Sequence, residues 1–250
     1  MVTDQGVLPA AAARRSDAGV VRFTGRDIGG LVLAGDMYAA PYDLLGTVLG
    51  VRQDRLRTII ARWRRAGLAE SGRIGPGPAW CWLTTAGMRA AGLRFPARRP
   101  PLARLAHIRA VLAARLALEA GEPFTSGSGW WRSERRIRSA AARPAPGHVP
   151  DAEVLWPDVP ASPYPDQCWA VEVELTAKAA ARTTAIMGDL LARSTGWEPG
   201  ARPGRVPRYD LIVYLCSPAA LAAVQRAAQA MPPVLAGRVE VRDLPPGALL

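Results

Sequence analysis

Apolar residues recur with two different spacings along this chain, and the switch between them divides it. In TGRDIGGLVLAGDM, from Thr24, the residues Ile28, Leu31, Val32 and Met37 fall near the helical repeat, with Thr24 placed to cap the first turn. PYDLLGTVLG predicts a short amphipathic helix that starts at Pro41, where a missing N–H costs nothing, and stops at Gly50. In VRQDRLRTIIARWRRAGL, Leu56, Ile59, Ile60 and Trp63 make one apolar stripe, Arg52, Arg55, Arg62, Arg64 and Arg65 make the wet face, and Gly67 closes the helix. The segment 68–83 then alternates around Gly75-Pro76-Gly77-Pro78, the pattern of a hairpin whose tip bends sharply.

RFPARRPPLARLAH reads as a proline-rich linker running into a new helix over about 102–120, with Leu102, Leu105, Ile108, Leu112 and Leu116 at helical spacing. That helix is either a connector or a dimerisation stem. Beyond Gly121 the period changes. HVPDAEVLW, CWAVEVELT, YDLIVYLCS and GRVEVRD read as strands, interleaved with helices over about 177–194 and 218–230. WWRSERRIRSAA reads as a helix capped by Ser133 or Ser128. This order predicts an α+β protein: three helices and a hairpin over 20–96, a linker and connecting helix over 97–121, and over 122–250 an α/β unit whose mixed central sheet is flanked by helices. CWAVEVELT, flanked by other strands, belongs near the middle of that sheet.

Charge sharpens the division. The formal net charge of +11 is unevenly spread: 1–100 carry +8, 101–150 carry +5 and 151–250 carry −2. A basic front end of this kind suits a polyanion, duplex DNA above all. The preference for Arg over Lys, 31 to 1, has the look of a GC-rich coding sequence, but it does not account for the asymmetry. Cys81, Cys168 and Cys216 are far apart, without a CxxC pair, and His107 and His148 are the only histidines; zinc and a disulfide framework are not expected. The opening MVTDQGVLPAAAARRSD lacks the apolar run of a signal peptide, and no stretch reaches the roughly 18 apolar residues of a membrane span. A cytoplasmic, nucleoid-associated protein without a membrane partner is expected.

The first segment resembles winged helix-turn-helix domains. It has a short second helix, a basic third helix closed by RRAGL, and WLTTAG where such domains place a last strand leading into a helix. The resemblance implies that the third helix enters the major groove. Arg52, Gln53, Arg55, Arg57 and Arg62 then meet bases or phosphates, and Arg73 in the wing meets the backbone or minor groove. A symmetric homodimer on a palindromic site would be the usual arrangement. A protein-interaction module with a merely solvated basic face is the competing reading.

In CWAVEVELTAK, Val171, Val173 and Leu175 point to one side of the strand, and Glu172 and Glu174 to the other. Two carboxylates on a central strand are costly unless they are exposed, paired or holding a cation. Asp151, in VPD about twenty residues earlier, converges with them in sequence order, and three such acids are a hard-oxygen set suited to magnesium.

That order, PD followed by an apolar strand with Glu-x-Glu, resembles the PD-(D/E)XK nuclease superfamily. Asp151 and Glu172 match the superfamily's two metal-binding acids, with Glu174 a third candidate ligand. Glu174 stands where the superfamily has its lysine; the chain's only lysine, Lys178, follows four residues later, with Thr176 a plausible cap for the next helix. Glu134 matches a glutamate the superfamily keeps on a helix before the sheet. The whole order, from winged helix through W-x-S-E-R and H-x-P-D-A to E-V-E-L-T-x-K, resembles the replication-relaxation type proteins of GC-rich bacteria and their mobile elements, over about 25–230. The resemblance implies a DNA-binding regulator of transcription, replication or transfer. A magnesium-dependent endonuclease using Glu134, Asp151, Glu172, Glu174 and Lys178, and an adaptor without DNA affinity, are the alternatives. Each acid also has a plainer reading: Glu174 and Lys178 as a salt bridge, Glu134 as balance for Arg132, Arg135, Arg136 and Arg138, and Asp151 as a turn residue. Trp130 and Trp131 are either packing residues or stacking platforms, and His148 is a possible phosphate contact.

Overall fold

Thr24 begins helix α1 (Gly25–Asp36) with a full capping box: its hydroxyl accepts from the Asp27 N–H, and the Asp27 carboxylate accepts from the Thr24 N–H at 2.8 Å. The computed structural model describes residues 23–120, 130–140, 147–157, 164–193 and 208–249. Ser128, the far end of the helix expected over 177–194, and the N-terminal stretch read for targeting signals lie outside the described residues.

A two-residue strand β1 (Ala40–Pro41) precedes α2 (Tyr42–Leu49), so Pro41 is not the first helical residue but an extended cap, held by pairing with Trp80. Gly50 ends α2 in the left-handed conformation, and α3 (Gln53–Arg65) follows after a short turn. Leu56, Ile59, Ile60 and Trp63 are all buried, as their spacing predicted. Strands β2 (Ala69–Gly72) and β3 (Trp80–Leu83) form the hairpin, and β1 completes an antiparallel sheet in the order β1-β3-β2. Thr84 then caps α4 (Thr85–Ala90). Here backbone approaches backbone: a Cβ on Gly87 would lie 1.8 Å from the Leu68 carbonyl oxygen.

Helix α5 (Leu105–Glu119), expected as a connector or a stem, is buried on most sides. Its Ala110, Leu112 and Ala114 are fully enclosed in an apolar cluster that runs from Leu31, Leu45 and Trp63 on one side to Val171, Val173 and Val213 on the other. The buried Arg109 also ties α5 to α2 by a two-pronged pair with Asp43, at 3.0 and 2.7 Å.

The second sheet has the order β4-β5-β6-β7-β8, from β4 (Trp130–Ser133), β5 (Ala152–Leu155), β6 (Cys168–Glu174), β7 (Leu211–Cys216) and β8 (Val239–Asp243). β5 pairs antiparallel with both β4 and β6, whereas β6, β7 and β8 run parallel, so the sheet is mixed and β6 is its middle strand, as expected. Trp130–Ser133, read above as part of a helix, is instead an edge strand, and α6 begins only at Glu134 (Glu134–Ala140). Ser133 does cap it, accepting from the Arg136 N–H at 3.3 Å. On the sheet face opposite α5, Ala170, Ile212, Tyr214 and Cys216 pack with Met187 and Leu190 of α7 (Ala180–Ala192) and with Ala220 and Val224 of α8 (Pro218–Gln229); the short α9 (Pro233–Ala236) follows. No helix among the described residues is long and apolar enough to cross a membrane.

Candidate functional site

On α3 the buried stripe forces the arginines outward. Arg52, Arg55 and Arg57 are exposed and have no ion-pair partner among the described residues. Gln53 is exposed as well, and its amide donates to the Tyr42 carbonyl at 3.3 Å, tying the start of α3 to α2. Arg62 is drawn into the fold, where its guanidinium and the Trp63 indole both donate to the buried Asp27. Burial alone would raise the Asp27 pKa; hydrogen bonds from Thr24, Trp63 and Arg62 outweigh it and hold the carboxylate below its usual value. Arg73 stands at the hairpin turn, donating to the Gly77 carbonyl at 3.3 Å. The exposed cations without an ion-pair partner among the described residues therefore include Arg52, Arg55 and Arg57 at the start of α3, Arg64 and Arg65 at its end, and Arg73 on the hairpin.

The carboxylates gather at the junction of β5 and β6. Asp151 precedes β5; its Oδ2 accepts from the Val173 N–H at 2.9 Å, and its Oδ1 lies 2.8 Å from His107 Nε2 on α5. Burial opposes charge on His107, but the Asp151 contact outweighs it and raises the imidazole pKa. Glu172 and Glu174 sit on the α7 side of β6, both buried, with Tyr214 of β7 beside Glu172. Glu172 Oε1 lies 2.8 Å from His148 Nε2, and burial pushes its carboxyl up to about 7 against the pull of that histidine. The contact in turn raises the His148 pKa, against burial. Tyr214, whose hydroxyl has no hydrogen-bond partner among the described residues, has its pKa raised by burial and by both glutamates.

His148 is held in place from its backbone. Asp189 of α7 accepts its N–H at 2.9 Å, and Arg193 donates both to Asp189, at 2.5 Å, and to the His148 carbonyl. Gly147 permits this, since its φ is +91° and a Cβ would meet the Asp189 carboxylate at 2.6 Å.

Lys178 reaches back to the strand end as expected, with its Nζ 2.5 Å from Glu174 Oε2. It does so from a loop rather than from a helix, because α7 starts only at Ala180 and has no side-chain cap, so Thr176 is not one. Glu134 opens α6: Oε2 accepts from Tyr38 and Arg104, each at 3.2 Å, and Oε1 from Arg138 at 2.9 Å. Its N–H donates to the Asp151 carbonyl at 2.9 Å, joining the two acids through the backbone. Tyr38 adopts a left-handed conformation, φ 69°, between the guanidiniums of Arg104 and Arg135 at 5.0 and 4.5 Å from its ring.

Magnesium needs several oxygens free to converge. Here Asp151 accepts from a histidine and a backbone N–H, Glu172 meets a histidine and Glu174 an ammonium. Among the described residues no three His, Cys, Asp or Glu side chains are grouped to hold a metal ion. As arranged, the donor set does not fit the cation that the superfamily resemblance implies. Between Glu134 and Asp151 lies a cavity of only about 20 Å³, too small for a substrate.

Besides Asp27, two more buried carboxylates escaped the sequence reading. Asp36, at the end of α1, accepts from Ser133 at 2.7 Å, Arg136 at 2.9 Å and Arg115 at 3.1 Å, so three elements meet on one side chain. Glu153 on β5 takes Arg208 at 2.5 and 3.0 Å and the Tyr209 hydroxyl at 2.7 Å on Oε1; Arg132 stands 3.3 Å from Oε2 without a hydrogen bond. The hydrogen-bond partners of both acids, like His107 for Asp151, are 44 to 100 residues distant, and no local pattern points to them. The chain matches no family model, no curated protein and no solved structure.

Proposed function

We propose that this protein binds duplex DNA, with 23–96 acting as a winged helix-turn-helix and α3 entering the major groove. The observation that carries the reading is the set of exposed cations at the start of α3, Arg52, Arg55 and Arg57, which have no ion-pair partner among the described residues, together with the exposed Arg73 on the adjacent hairpin. Cations left free while neighbouring Arg62 is consumed by Asp27 are available for phosphates and base edges. The C-terminal sheet is read as a divergent PD-(D/E)XK-like scaffold whose acids are neutralised from within. A regulatory role on DNA, with two copies on a palindromic site, fits this division.

The test is DNA binding by fluorescence anisotropy across a salt series. Affinity should fall steeply with salt, and Arg55→Ala with Arg57→Ala should reduce the salt slope by about two, near one for each phosphate no longer held. A flat salt response, or an unaltered slope in the double variant, would sink the reading.

One observation favours cleavage as a second reading: Lys178 brings its ammonium to the carboxylate end of β6. Incubating plasmid with magnesium or manganese, beside an Asp151→Ala, Glu172→Ala variant, separates the two. Cleavage that the variant lacks makes the acids a catalytic centre; intact plasmid with retained binding leaves them structural.

A further inference from the structure

A second groove borders neither α3 nor the carboxylates of β6. It encloses about 500 Å³, within the roughly 300–1,000 Å³ of small-molecule sites, at the outer edge of β4 where the two halves meet. Four arginines, Arg94, Arg115, Arg132 and Arg136, line it against a single acid, Asp36. Asp36 is already shared by Arg115, Arg136 and Ser133; just outside the groove Glu119 also meets Arg115 and Glu153 faces Arg132, so these acids offset part of the charge and leave Arg94 over. Arg94 is exposed and has no partner among the described residues. Trp130 is 74% exposed on the rim, while its neighbour Trp131 packs into the core. The two tryptophans that the sequence left undivided thus have different roles. Trp130 and Arg132, two apart on one strand, project to the same side.

We propose that this groove binds an unpaired stretch of DNA, with Trp130 stacking on a base and Arg94, Arg132 and Arg136 holding the flanking phosphates. A large aromatic left in water beside a surplus of guanidiniums is the combination that single strands use, because every base has a stacking face and every nucleotide a charge. A duplex hides its base faces and is too broad for a cleft of this volume. The choice of DNA over another polyanion rests on the duplex-binding reading above.

The experiment uses the full chain and a labelled oligothymidylate of about 15 nucleotides, in the range of known single-strand site sizes. Trp130→Ala should weaken binding about tenfold, and Trp130→Phe should recover most of the loss. Arg94→Ala should lower the salt slope by about 0.7, the single-strand value for one phosphate. Trp130→Ala should leave duplex affinity unchanged, and Arg55→Ala with Arg57→Ala should weaken the duplex while sparing the oligothymidylate. Trp130-dependent binding of the oligothymidylate in a protein without duplex affinity would overturn the α3 reading and keep this one. Equal affinity of wild type and Trp130→Ala for the oligothymidylate would overturn the inference. So would heparin or polyglutamate of matched charge competing as well as the oligonucleotide does.

Discussion

Glu172 and His148 both hold a proton more firmly in the folded chain than in the unfolded one. Burial raises the carboxyl from its ordinary 4.5 to about 7, and the carboxylate raises the imidazole from 6.5. With both folded values raised, the stabilisation is complete at acid pH, below the ordinary carboxyl value, and is lost as pH rises through about 7 for Glu172 and through the raised value of His148. Glu172→Gln should flatten that decline. Thermal melts at about pH 5 and pH 8 should differ by at least 1.4 kcal/mol less in the variant than in the wild type, about the free energy of a tenfold change in proton affinity. An unchanged difference would mean that the pair does not titrate as described. Glu153 is tied instead to Arg208 and the Tyr209 hydroxyl. Glu153→Ala should cost about 3 kcal/mol, because Arg208 and Tyr209 lose their shared acceptor, whereas a surface acid on α3 such as Asp54 should cost under about 0.5 kcal/mol. The acids on β6 were legible because a carboxylate in an apolar strand stands out in any sequence. Their partners were not, since His107 lies on a helix whose apolar spacing gives no hint of which residue faces Asp151.

Elements followed the sequence where one local cause dominated. The stripe of α3, the Thr24 cap, and the alternation of β6 each reflect a short-range rule, and each appears as expected. Trp130–Ser133 departed from it because the following ERRIRSA carries a helical pattern strong enough to mask where it starts. The four residues before it become a strand only by pairing with β5, twenty-two residues further along. Lys178 shows the same effect in reverse: a sequence of good helix formers stays in a loop while its ammonium is held at Glu174. Backbone closeness is equally invisible in a sequence, and Gly87 gives a direct test of it. Gly87→Ala puts a methyl group into the Leu68 carbonyl, which also accepts the Thr84 N–H, so α4 must move off the hairpin. The expected loss is about 3 kcal/mol, read from denaturant unfolding, against at most a few tenths for Gly25→Ala, where nothing lies within 4 Å. Equal effects at the two glycines would show that the close approach is relieved without strain.

At the scale of the molecule, the two basic surfaces, one on α3 and one along β4, sit on a single apolar core. Thermal unfolding followed by far-ultraviolet circular dichroism and by tryptophan fluorescence should therefore give coincident single transitions. Asp36→Ala, which strands Ser133, Arg115 and Arg136 at once, should lower that transition by about 3 kcal/mol. Two separated transitions in the wild type would contradict a shared core.

The burial of α5 also bears on how such a chain could evolve. One flank of this helix closes the core beneath α2, and the other closes the sheet at β6, so neither half keeps a finished surface without it. Exchange of the N-terminal segment between related genes would succeed here only if the breakpoint fell after Glu119 and the donor brought a helix already shaped to fit the recipient's sheet. Recombination at the proline-rich stretch before Leu102, where the sequence looks most like a seam, would leave an apolar helix matched to the wrong partner.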